Sequence, residues 1–170
     1  MLAIDSADPL LRLVGAVGLG ASVGTALVVD MASTRGRTLV DLVTDGPTAY
    51  ELSPGRAGLA FIGGGGLDSA GTEEVVGQLA RRWPAVVVAG EVASFPAVRF
   101  NLLYPGRLAP VVAGLPGVWQ PVEGSGDPPG PGPVMPRLRR SLLTKLLNGH
   151  LPRRSAWIDA WHPIWEMPWA

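Results

Sequence analysis

Two apolar runs end in residues that could hold a ligand. TALVV closes on Asp30, and GLAFI closes on Gly63, Gly64, Gly65 and Gly66. If both runs are parallel strands, these residues share the carboxyl edge of a sheet. There α/β proteins bind small molecules, and a glycine-rich turn leads into a helix whose first N–H groups suit a phosphate. The simpler reading of the four glycines is a flexible turn, because they match no G-x-G-x-x-G spacing and Asp68 stands at the start of the following helix. Asp30 reads first as a loop cap and second as a ligand. Ser33 and Thr34 lack a histidine partner, so no nucleophile–base pair is indicated and no catalytic residue is named. The chain has no cysteine, which removes disulfides, thiolate metal sites and a cysteine nucleophile. Its two histidines, His150 and His162, have no carboxylate cluster beside them. Neither a metal nor a cofactor is expected.

A second set of residues lies near the C-terminus. Trp157, Trp161, Trp165 and Trp169 recur every four residues, with Pro163 and Pro168 interrupting any continuous helix. Tryptophan offers a large apolar area and one N–H donor, a combination suited to interfaces. With Arg139 and Arg140 these tryptophans form the expected contact surface for a protein partner or a second copy, a homodimer included. Docking in cis, across the chain's own surface, is the competing reading. Tryptophan beside arginine also stacks on single-stranded nucleic acid, but a formal net charge of zero and an acidic main body argue against that partner. Leu138, Leu142, Leu146 and Leu147 form a stripe that predicts a helix docked on the core. A membrane-surface role is less favoured, since Gly149 and Pro152 end that helix early.

A chain of 170 residues with 47% hydrophobic and 16% charged composition is globular with one sizeable core. Charge divides unevenly: residues 1–134 hold 8 Arg against 12 Asp and Glu, whereas residues 135–170 hold 6 basic residues against Asp159 and Glu166. The uncharged stretch Leu13–Val29 is short for a membrane span, broken by glycines and flanked by aspartates, so it predicts a buried helix and then a buried strand. The acidic N-terminal residues lack the basic start of a secretory signal, which points to the cytoplasm. Asp8 and Pro9 are placed to cap and open a helix over about Leu10 to Ser22. Thr38 and Asp41 form a capping-box pair at the start of TLVDLVTD. AVVVA, at 85–89, is a third buried strand, with weaker ones at 98–103 and 118–122. The alternation implies an α/β fold, a three-layer, mostly parallel Rossmann-like sheet with right-handed crossovers and a Trp-rich C-terminal extension. The expected organisation is an α/β domain at 1–123, a Pro/Gly linker at 124–136, and a basic helix with the Trp-rich tail at 137–170.

In order and spacing, MLAID, LLRLVGAVGLGAS, TALVVD, GLAFIGGGG, TEEVVGQLARRW and PAVVVAG resemble the ParA/MinD family of P-loop ATPases over roughly residues 1–105. The resemblance implies a doubly wound sheet, a role in positioning or assembling cellular machinery, and dimers bridged by ATP. The departures fall on the chemistry. Where the family has its phosphate loop this chain has Asp5-Ser6-Ala7-Asp8-Pro9, and its only lysine is Lys145, far from that turn. The strand that should end in the magnesium-orienting Asp ends in Val88-Ala89-Gly90, with Glu91 beyond. Two anions in place of the loop repel phosphate rather than cradle it. The expectation is a non-catalytic, pseudo-ATPase scaffold or positioning protein that binds no ATP and acts through protein contacts. The alternative is a small-ligand-binding or enzyme domain using Asp30 and Gly63–Gly66.

Overall fold

Apolar runs rich in β-branched residues become strands covered on both faces, as parallel strands must be. The computed structural model describes residues 1–52, 58–105 and 116–169. Its strands are β1 (Leu2–Asp5), β2 (Thr25–Asp30), β3 (Gly58–Gly63), β4 (Val86–Ala89), β5 (Ala97–Leu103) and β6 (Val118–Pro121). Every pairing between them is parallel, in the order β3-β2-β4-β1-β5-β6, so the mostly parallel sheet of the expectation is wholly parallel here. β1 therefore lies inside the sheet between β4 and β5, and Asp5, Asp30, Gly63 and Ala89 end their strands at one edge.

Helices sit on both faces, completing the three layers of an α/β fold. On one face, α2 (Leu39–Asp45) and α4 (Ser69–Leu79) press Leu39, Leu42, Val76 and Leu79 onto Ala3, Leu27, Val29, Val86 and Val88. The short α3 (Ala49–Leu52) lies between these two helices in the chain. On the other face, α1 (Pro9–Ser22) covers Leu2, Ile4, Val28, Val87 and Ala89. After β2 the chain reaches the outer side of β3, where Thr38 bridges Gly63 in parallel, and α2 then packs on the face opposite α1. Leu39 and Leu42 find their apolar cover beside α4, not beside α1.

The uncharged run is explained by what covers α1. Behind it pack α5 (Arg140–Leu147), α6 (Ala156–Asp159) and a 3-10 turn at His162–Glu166, so the helix is buried along most of its length. A helix apolar all round is one that is enclosed all round. Among the described residues no helix is long and apolar enough to cross a membrane.

The Pro/Gly segment is not a free linker along its whole length. Gly117 and Trp119 donate to the carbonyls of Pro131 (3.0 Å) and Pro133 (2.9 Å), and Met135 donates back to Trp119 (2.7 Å). Residues 131–136 thereby run along β6 as a strap that occupies the exposed edge of the sheet. Gly132 is required there: a Cβ at that position would overlap the Gly117 carbonyl.

Candidate functional site

At the carboxyl edge, the turn after β1 is closed by its own carboxylate. Asp8 Oδ1 accepts from the N–H groups of Leu10 (2.8 Å) and Leu11 (3.3 Å), the free donors at the head of α1. This is the N-cap expected from Asp8-Pro9, and it places a negative charge at the positive end of the helix.

Asp30 acts on its own loop: Oδ1 accepts from Ala32 N–H at 3.1 Å. The glycine run packs against the same loop. Gly63 donates to Arg37 O (3.0 Å), Gly64 to Asp30 O (2.9 Å) and Gly65 to Ser33 O (3.1 Å). A Cβ on Gly63 would lie 2.7 Å from Ser33 O, and one on Gly64 would lie 3.0 Å from the Met31 backbone. Gly65 also has φ +70, a conformation in which a side chain is strained. Asp30 and three of the four glycines are thus brought together, but by backbone bonds that occupy the N–H groups of Gly63, Gly64 and Gly65. Among the described residues, no group of three His, Asp or Glu side chains is placed to hold a metal ion.

The β2–α2 loop is fixed by a polar clasp. Arg37 Nε donates to Glu51 Oε1 at 2.7 Å, its Nη2 donates to Gly46 O at 2.7 Å, and Glu51 in turn accepts from Thr48. The bond to Glu51 holds the Arg37 guanidinium above its ordinary pKa. Burial pushes the Glu51 carboxyl up, but the bonds from Arg37 and Thr48 outweigh it and the net direction is down. Hydrogen bonds from the Thr38 hydroxyl and N–H hold Asp41 below the ordinary range, and the two residues form the capping box that their spacing predicts. Trp83 Nε1 donates to Glu51 O at 2.9 Å, which ties the clasp to the end of α4.

The tryptophans are placed differently from the expected contact surface. Trp157 and Trp161 are 2% and 0% exposed, and they stack edge-on with ring centroids 5.6 Å apart. Trp161 meets Phe100 of β5 edge-on at 4.9 Å. Trp157 Nε1 donates to Gln120 Oε1 of β6 at 2.6 Å, and Trp165 Nε1 donates to Leu19 O (3.2 Å) and Ser22 Oγ (3.1 Å) in the last turn of α1. Trp169, half-buried, donates to Ile164 O at 2.8 Å. The contact role expected of Trp157 and Trp161 is therefore corrected: buried in the chain's own core, they present nothing to a partner in the folded protein. The interrupting prolines shorten the helices, but the four-residue spacing still turns the side chains toward α1. In the leucine stripe, Leu138, Leu142, Leu143 and Leu146 pack inward while Leu147 is exposed, so the inward set includes Leu143 in place of Leu147.

What remains outward on this segment is cationic. Arg139 lines a groove between α5 and residues 152–157, together with Arg137, Lys145 and Arg154, whereas Arg140, also exposed, lies outside it. The two candidate sets stay apart, since Trp165 grips the end of α1 remote from the carboxyl edge. Gln120 and Arg154 stand outside both sets of residues expected from the sequence. Gln120 carried a signal, a polar residue inside the apolar run VWQPV. Arg154 carried none beyond its charge. Comparison with protein-family models, curated proteins and solved structures finds no match to this chain.

Proposed function

We propose that the chain is a non-catalytic α/β scaffold, a ParA/MinD-like protein without the phosphate loop, that works through protein–protein contacts. The observation that carries this reading is the Asp8 carboxylate on the N–H groups of Leu10 and Leu11, at the head of the helix that follows an interior strand. A P-loop leaves those donors to the nucleotide and adds a lysine; here an anion holds them, and the sole lysine lies on α5. The turn after β4, at Gly90, also brings no aspartate to the edge, Glu91 being the first carboxylate. Phosphoryl transfer needs both the cradle and the metal-orienting carboxylate.

Isothermal titration with MgATP and MgGTP tests the reading. No saturable binding and no phosphate release are expected from the whole chain. Saturable binding with turnover overturns it. The alternative, a ligand domain built on Asp30 and Gly63–Gly66, has less support, because the N–H groups of Gly63, Gly64 and Gly65 are already bonded to the β2–α2 loop. Thermal stabilisation by a phosphate-bearing metabolite, abolished by Gly64→Val, would favour that alternative instead.

A further inference from the structure

The outer side of α5 and the returning segment Pro152–Trp157 enclose a groove of about 600 Å³. Arg137, Arg139, Lys145 and Arg154 line it, with Pro136, Leu142 and Pro152 contributing apolar surface between them. The chain has no Asp or Glu between Asp127 and Asp159. Among the described residues, the one carboxylate paired with a groove cation is Glu123, 3.7 Å from Arg137, with both side chains at least 80% exposed. An ion pair that exposed contributes little, so the positive charge of the groove is left uncompensated. The helix behind it is anchored: Leu146 is fully buried, and Pro136 O accepts from Gln120 Nε2 at 3.3 Å where the strap enters α5. The cations are thus carried on a fixed frame.

We propose that this groove binds an acidic segment of a partner protein, a stretch in which carboxylates alternate with apolar side chains. The assignment rests on the scaffold reading above and supplies its contact surface. Guanidinium forks match carboxylates in two-point bonds, and the apolar patches between the cations accept side chains that a polyanion lacks. A nucleic-acid strand is the poorer fit. Base stacking needs an open aromatic face, and Trp157, the aromatic residue of this groove, is 2% exposed with its Nε1 committed to Gln120. Residues 1–134 also carry a net charge of −4, which opposes a long polyanion lying across the molecule.

The test is fluorescence-anisotropy titration of the whole chain with a labelled peptide of alternating glutamate and leucine. A scrambled lysine–leucine peptide, a single-stranded oligonucleotide and inorganic phosphate serve as competing probes. The glutamate–leucine peptide is expected to bind, and to weaken about tenfold or more in the double variant Arg139→Glu, Arg154→Glu. The double variant Arg81→Glu, Arg82→Glu, on exposed residues after α4, is expected to bind like the parent chain. Both variants change exposed side chains, and matching thermal unfolding curves establish that they are folded. Three results overturn the assignment: no binding of the acidic peptide, binding that the Arg139/Arg154 variant leaves unchanged, or tighter binding of the oligonucleotide or of phosphate. Failure here with MgATP still unbound removes the groove and spares the scaffold reading. Productive MgATP binding removes the scaffold reading whatever the peptide does.

Discussion

At position 18 a methyl group would lie 2.5 Å from the Trp157 ring and closer still to Trp161 Nε1. Both rings are buried and neither is the loose end of a flexible chain, so they have little room to give. Replacing a mid-helix glycine by alanine ordinarily gains about 1 kcal/mol of helix propensity. Overpacking a closed site loses about 1–3 kcal/mol. The second effect wins at this site, so Gly18→Ala is expected to lower the chemical-denaturation midpoint. Gly77→Ala in α4, where a Cβ meets nothing within 4 Å, is the matched control expected to raise it. Equal gains at both positions would mean that the tryptophans do not pack against α1 as described. The glycines of the uncharged run are plain in the sequence, but the reason for Gly18 lies some 140 residues further along, in Trp157 and Trp161. Spacing by four announces that the tryptophans share a side; nothing local says which surface that side meets.

The elements were legible where their signals are local. Asp8-Pro9 and Thr38–Asp41 form the caps that their spacing predicts, because capping chemistry acts within one helical turn. Arg37 with Glu51 was not legible: the pair spans 14 positions and depends on how α3 folds back toward the β2–α2 loop. Strand order was equally hidden, since apolar runs alike in composition pair by tertiary packing. The clasp predicts a response to acid. Glu51 and Asp41 titrate in the folded chain below their ordinary values of 4.5 and 3.8. Groups shifted in that direction add stability above the unfolded value and lose it as pH falls through the folded one. The gap in urea midpoint between the parent chain and Glu51→Gln should therefore be widest near neutral pH and narrow as pH drops from about 5 to about 3. A gap that stays constant across that range would detach the bond to Arg37 from stability.

Taken whole, the molecule places its C-terminal fifth in the role of a core layer. A tail hung on a Pro/Gly linker should be removable, leaving the α/β domain folded; that was the organisation expected from composition. Here Leu146, Trp157, Ile158, Trp161 and Ile164 all belong to the buried cluster beneath α1, with exposures from 0% to 8%. Full burial of such a side chain contributes about 1.5–3 kcal/mol, so the five together are worth on the order of 10 kcal/mol. A single domain is typically stable by about 5–15 kcal/mol, so little would remain without them. Removing them also uncovers an apolar α1 and the Phe100 ring, an exposed face of the kind that drives aggregation. A chain ending at Pro136 is accordingly expected to lose its cooperative thermal transition and to become insoluble, while a chain ending at Met167, which keeps all five, should unfold cooperatively at a slightly lower temperature for want of Trp169. A cooperative, soluble fragment ending at Pro136 would restore the linker-and-tail organisation.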